Sequence, residues 1–281
     1  MAPSSIAVQA PVAVVTGAGS GIGKELITQL ALQGYAIAAA DINEAELANV
    51  ADQVREIGSQ TVNSYSLDVA DESAFNLFAE QVQKDFGRVD LVINNAGITR
   101  VGEFMHTRSE AFKKVMDVNF WGVVYGSRAF LPSLLKTQGT LVNISSLFGI
   151  IGVPGQSSYC ASKFAVRGFT EALRQELKST GVHVACVHPG GIRTNIARSA
   201  ELDQKDLDHA KIVQALEEKA LKMPASKAAS IILKGAQRRS KRILIGNDAR
   251  LIDLFQRLFP SAYDILLKMF GGGALVDPPK V

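Results

Sequence analysis

Short, wholly apolar runs alternate along the chain with stretches whose apolar residues recur every three or four positions. The first run, Val12 to Thr16, lacks polar alternation, which marks a strand buried on both faces of a sheet. It is followed by residues 21–33, where Ile22, Leu26, Ile27 and Leu30 fall at helical spacing. The same alternation predicts strands at 35–40, 61–67, 89–93, 139–145, 182–187 and 243–245, and helices at 44–57, 71–86, 109–135, 156–178 and 226–237. Asp71 is placed to cap one helix, and Gly58 and Gly87 to end two. Crossovers of this length require a parallel sheet covered on both sides. The expected fold is therefore α/β, a doubly wound parallel sheet of about seven strands with helices on both faces.

No repeat or low-complexity linker divides the 281 residues, and α/β folds of this length form one unit, so a single domain is expected. Residues 251–270 depart from the pattern. They are apolar and aromatic, are broken by Pro260, and run into Gly271, Gly272 and Gly273. Lining a substrate entrance, packing on a second subunit and weak contact with a membrane surface all remain open for this segment. Asp277, Pro278 and Pro279 are expected to fray.

Composition narrows the class. Hydrophobic residues make up 47% and charged ones 20%, which suits a large core and excludes disorder. A net charge of +3, with one basic cluster at Arg238, Arg239, Lys241 and Arg242, gives no basis for a nucleic-acid partner. Two cysteines, Cys160 and Cys186, cannot staple a chain of this size, so a reducing, cytoplasmic setting is expected. The four histidines show no metal-ligand spacing, and His183 and His188 fall on opposite faces of one strand. The first residues lack a basic stretch leading into an apolar core, so no secretion signal is read, and no apolar run is long enough for a transmembrane segment.

Candidate chemistry begins after the first strand. Thr16-Gly17-Ala18-Gly19-Ser20-Gly21-Ile22-Gly23 joins it to the first helix. Glycines let the backbone approach a diphosphate, and the helix N-terminus offers unpaired N–H groups and partial positive charge. Asp41 ends the second strand 24 residues after Gly17, where a carboxylate can accept from a ribose 2′-OH and repel a 2′-phosphate. That favours NAD over NADP, although Asp41 could equally cap the following helix. Asp68-Val69 and Asn94-Asn95-Ala96-Gly97 follow the third and fourth strands, at the edge where open α/β sheets bind ligands. Tyr159 and Lys163 are four apart and so share one helix face. An ammonium there is expected to draw the phenol below its usual value of about 10.

In this order, the TGxxxGIG loop, the NNAG tetrad, Asn119, the NISS segment ending at Ser146, YxxxK, and Pro189-Gly190 with Thr194 resemble the short-chain dehydrogenase/reductase family. Ser146 lies 13 residues and Asn119 40 residues before Tyr159, in keeping with the family's spacing. The resemblance spans about residues 10–247, with a variable lid at 195–223 and an apolar extension at 248–281. It implies a Rossmann-type fold and Tyr159 as general acid/base, with Lys163 lowering its pKa and bonding the nicotinamide ribose. Ser146 would donate to the substrate oxygen, and Asn119 would hold a relay water. Gly17, Ser20, Gly21, Ile22, Gly23, Asp41, Asp68, Val69, Asn95, Ala96, Gly97, Tyr159, Lys163, Pro189, Gly190, Ile192 and Thr194 would hold the cofactor.

Residues 147–154 are strongly apolar and lie between Ser146 and Tyr159, so the expected substrate is a hydrophobic secondary alcohol or ketone: steroid-like, aromatic or long-chain. No clear arginine clamp for a small carboxylic acid is read; Arg193 and Arg198 are the nearest candidates. The lid reads as an amphipathic helical cover, with Ile196, Leu202, Ile212, Val213 and Leu216 as its apolar positions. An NADP-dependent carbonyl or 3-oxoacyl reductase is the alternative, and a non-catalytic dinucleotide-sensing scaffold the third reading. Family members are commonly homodimers or homotetramers, and the long helices at 109–135 and 156–178 would pair across subunits.

Overall fold

All five residues of β1 (Val12–Thr16) are buried, and they face two different helix layers in turn. Ala13 and Val15 enter one apolar cluster, Val12 and Val14 the other. This division explains why the run shows no polar alternation: neither face of the strand meets water. The computed structural model describes residues 10–58, 61–204, 208–219 and 221–263. The glycine run at 271–273 and the segment 277–279 lie outside the described residues, as does the latter part of the 251–270 segment.

Six further strands join β1 in one parallel sheet: β2 (Ala36–Asp41), β3 (Val62–Ser66), β4 (Leu91–Asn94), β5 (Thr140–Ile144), β6 (His183–Pro189) and β7 (Arg242–Ile245). Their order is β7-β6-β5-β4-β1-β2-β3, a Rossmann-type α/β arrangement. Succession reverses direction between β1 and β4, and loops leaving there in opposite senses open a crevice at the strands' carboxyl ends.

The helices are α1 (Gly21–Leu32), α2 (Glu44–Glu56), α3 (Glu72–Phe86), α4 (Ser109–Met116), α5 (Gly122–Thr137), α6 (Ser157–Glu176), α7 (His209–Lys219), α8 (Ala225–Gln237) and α9 (Asn247–Leu258). α1, α2 and α8 cover one face of the sheet, and α3, α5 and α6 the other. Asp71 caps α3 by accepting from the Ala74 N–H at 3.0 Å. Gly87 ends it at φ 70°, where its N–H reaches the Gln83 carbonyl at 2.9 Å.

The helix expected over 109–135 is not uniform. A π-helical turn, Asp117–Trp121, separates α4 from α5. The apolar period reads through it because the turn displaces the register by only one residue.

Phe75, Phe78 and Phe130 meet edge-on or tilted at 5.5–6.4 Å between ring centres, and Phe75 is fully buried. Phe75→Ala should therefore cost about 3–5 kcal/mol in urea unfolding. Leu77→Ala on the exposed side of the same helix should stay within about 0.5 kcal/mol of wild type.

Candidate active site

The loop after β1 runs along one wall of a cavity of about 1280 Å³ at the carboxyl edge of the sheet. Ligand pockets commonly measure about 300–1,000 Å³, so this one has room for two molecules side by side. Ser20 precedes α1 without a side-chain cap, and Ser20, Gly21 and Ile22 line the cavity. Gly21 has φ +52°, and a Cβ there would reach 3.3 Å from the Thr194 side chain. Bare backbone thus keeps a gap open between the helix N-terminus and the strand beyond β6, as a diphosphate requires. Gly23 stands behind the loop, against the Gly17 carbonyl.

Asp41 at the end of β2 also faces the cavity. Its carboxylate accepts from Gly19 N–H at 2.8 Å and Asn43 N–H at 3.0 Å, which fixes its orientation. The N-cap of α2 is Asn43, whose side chain accepts from Glu46 N–H, so capping does not account for Asp41. Asp68, Val69, Asn95, Ala96, Gly97, Pro189, Gly190, Ile192 and Thr194 line the same cavity, as do Gly17, Ser146, Tyr159 and Lys163. Asn95 spends its side-chain amide on the Thr16 and Gly17 carbonyls, at 2.9 and 3.2 Å, tying the glycine loop to β4.

Tyr159 and Lys163 lie on α6, with the Lys163 Nζ 5.6 Å from the Tyr159 ring centre. Nζ donates to the Ile144 carbonyl at 3.0 Å, at the end of β5. Gly97 leaves space for this ammonium: a Cβ there would stand 3.3 Å from Nζ and 3.2 Å from the Asn119 Oδ1. Asn119 sits in the π turn and is fully buried. Its side chain bonds Ile98 in both directions, at 2.8 and 2.9 Å, and donates to Ser162 Oγ at 3.0 Å. Both ends of that amide are therefore engaged by protein groups.

Two serines follow β5. The Ser145 hydroxyl is committed to the Lys163 carbonyl at 2.8 Å. Ser146 Oγ accepts from Phe148 N–H at 3.1 Å, and its hydroxyl is hydrogen-bonded to the Tyr159 phenol. Cys160 packs among Leu147, Ile150, Ile151 and Val153, and burial raises its thiol pKa.

The expected lowering of the Tyr159 pKa is not what the structure gives. Burial pushes the phenol up to about 12, and the Ser146 hydroxyl pulls in the opposite direction. Burial likewise lowers Lys163 to about 8. Desolvation opposes the phenolate and the ammonium alike, and here it outweighs their proximity.

Leu147, Phe148, Ile151 and Val153 form an apolar wall beside Ser146, as their sequence suggests. Leu251 and Ile252 of α9 extend it, so the start of the 251–270 segment lines the cavity. Arg193 and Arg198 are not among the lining residues. Residues 201–202 pair with 100–101, and Arg100 binds Asp203 at 2.8 Å as well as Glu201, fastening the early part of the segment expected to form a lid. α7 supplies the expected helix, although the side chains of Ile212 and Leu216 lie outside the described residues. Sequence reasoning missed Gln156, which accepts from Thr99 Oγ at 2.9 Å, and Asp248, which accepts from Gly191 N–H at 2.9 Å. Neither carries a motif; only the fold brings them here.

Among the described residues no group of three or more His, Cys, Asp or Glu is placed to hold a metal, and no helix is long and apolar enough to cross a membrane.

Residues 11–205 match the family model described as short chain dehydrogenase. The Mycobacterium tuberculosis protein SadH, named as an oxidoreductase, is 41% identical over 259 residues, spanning 91% of this chain and 93% of its own. A solved short-chain dehydrogenase/reductase from Burkholderia phymatum, in complex with NAD, is 27% identical with a TM-score of 0.81, covering 97% of this chain and 99% of that one. An alcohol dehydrogenase from Thermococcus sibiricus, complexed with 5-hydroxy-NADP, is 25% identical with a TM-score of 0.73, covering 84% of this chain and 96% of that one.

The depressed Lys163 has a consequence for folding. Its folded pKa of about 8 lies below the free value of 10.5, so the cost of its buried charge is fully present below about 8. Between those values the unfolded chain binds more protons, and this group's contribution to stability rises with pH. Wild type minus Lys163→Met, by urea unfolding at pH 7.5 and 10, should show that rise. A flat difference would contradict it.

Proposed function

The chain belongs to the short-chain dehydrogenase family, and on that premise we propose that it moves a hydride between NAD and a hydrophobic secondary alcohol or ketone. The observation that carries this reading is one cavity holding Ser146, Tyr159 and Lys163 together with an open helix N-terminus and an apolar wall. The nicotinamide supplies the hydride acceptor or donor, and the protein's residues manage position and the proton.

The α1 N-terminus and the glycine loop would hold the diphosphate, and Asp41 the adenosine ribose. Thr194, Pro189, Gly190 and Ile192 would flank the nicotinamide, with Lys163 Nζ on its ribose. Ser146 would donate a hydrogen bond to the substrate oxygen and steady the charge developing there. Tyr159 would exchange the reacting proton with that oxygen. With a buried pKa of about 12, the phenol is protonated at neutral pH, the form that serves ketone reduction. Alcohol oxidation needs the phenolate, so its rate should climb as pH rises from 7 to 10.

The apolar wall supports a steroid-like, aromatic or long-chain substrate over a small polar one. Exposed Trp121, Leu135 and Phe164 on the α4–α5 and α6 side support a homodimer or homotetramer. An NADP-dependent reductase is the second reading, favoured by the 5-hydroxy-NADP in the Thermococcus sibiricus enzyme. Against it stands the oriented carboxylate of Asp41, which would repel a 2′-phosphate.

With a panel of apolar secondary alcohols and NAD, turnover should appear as nicotinamide absorbance, and Tyr159→Phe should lower kcat by about 10²–10⁴ with NAD affinity unchanged. Unimpaired turnover in Tyr159→Phe would refute the role given to the phenol. By nicotinamide fluorescence, NAD should bind about tenfold or more tighter than NADP, and Asp41→Ala should narrow the gap. Tighter NADP binding by the wild type would select the second reading.

A further inference from the structure

β5 ends at Ile144, and Ser145 N–H makes the last ladder bond, to the Val187 carbonyl at 2.9 Å. Ser146 is thus the first residue beyond the sheet. Two of its bonds are local: Phe148 N–H to its Oγ and Gly149 N–H to its carbonyl, at 3.1 and 3.0 Å. A third crosses from β6, where His188 Nδ1 lies 3.1 Å from the same carbonyl. That contact ties the serine's peptide to the interior of the sheet, where His188 is completely buried.

The ring's chemistry follows from its partner. A carbonyl oxygen only accepts, so Nδ1 carries the proton and Nε2 is a bare lone pair. Among the described residues, buried Nε2 has no hydrogen-bond partner. Leaving a buried nitrogen unpaired is costly, and such groups in a folded protein call for an explanation. Arg242 stands on the adjacent strand, opposite Cys186 and so on the His188 side of the sheet, where it is held by Glu171 and Asp253. Burial, first, and the Arg242 charge, second, push the imidazole down to about 4, so the ring stays neutral with its single proton on Nδ1.

We propose that His188 is a positioning residue for catalysis, its Nδ1–H holding the Ser146 peptide so that the serine hydroxyl meets the reacting oxygen. This rests on the reading of Ser146 given above and extends it to a residue with no exposed surface and no contact with substrate. A misplacement of about 1 Å at a reacting group can lower a rate by about 10²-fold.

The test compares amides of different reach. His188→Asn places an N–H near the position of Nδ1, and His188→Gln places one near Nε2. His188→Leu keeps the bulk and removes the donor. With NAD and an apolar secondary alcohol, the Asn variant should keep kcat within about threefold of wild type, while Gln and Leu should lose about 10- to 100-fold. KM for the alcohol and Kd for NAD should change by no more than about twofold in all three. Imidazole ¹⁵N spectra of the cofactor-free wild type should show His188 as the neutral Nδ1–H tautomer, a readout independent of activity and of how well any variant folds. An Nε2–H tautomer, equal kcat in the Asn and Gln variants, or losses carried by KM would overturn the inference. An active wild type matched by all three variants overturns it alone. A wild type inactive with every alcohol and both cofactors overturns the functional reading and the inference with it.

Discussion

The buried ammonium of Lys163 is the constraint around which the site is arranged. A lysine taken out of water must find a partner or give up its proton. Lys163 finds the Ile144 carbonyl, the last residue of β5, and so pins α6 to the carboxyl edge of the sheet. Tyr159, one turn earlier on the same helix, is thereby placed above that edge. Room for the ammonium comes from Gly97 after β4, and the space beside it is closed by Asn119 from the π turn. Elements from four parts of the chain therefore converge because one charge has to be accommodated.

Burial has a second effect. It raises the phenol to about 12 and lowers the amine to about 8, so at neutral pH the phenol is protonated while the amine, still mostly charged, gives up its proton more readily than a free lysine. Among the described residues, the Ser146 hydroxyl is the neighbour that draws the phenol down. That gives weight to how firmly Ser146 is held, by local bonds on one side and by His188 on the other.

The apolar half of the cavity is built differently from the polar half. Residues 147–153 and α9 pack into a separate small cluster that includes Cys160, Ala249 and Ile252. Asp248 at the start of α9 accepts from the loop after β6, and Asp253 later in it pairs with Arg242 on β7. The helix that contributes Leu251 and Ile252 to the wall is thus fixed to β7 and to the loop after β6. Residues 201–203 are fastened from the other side, through Arg100 and Asp203.

Sequence alone determined whatever depends on near neighbours. Mostly apolar runs locate interior strands such as β1, β2 and β4, because burial on two faces leaves little place for polar side chains. The glycine loop and its helix, Asp71 as a cap, and Tyr159 with Lys163 one turn apart are legible for the same reason: each is a matter of a few adjacent residues. The joining of Ser146 to Tyr159 was readable only through family resemblance, since no local rule links positions 13 apart across a loop. Tertiary structure decided the π turn at Asn119, the contacts of His188 with Ser146 and of Arg100 with Asp203, and the part played by α9. It also reversed the expected direction of the Tyr159 pKa. Spacing sets which groups can meet, whereas desolvation depends on everything packed around them, and that is a property of the whole fold.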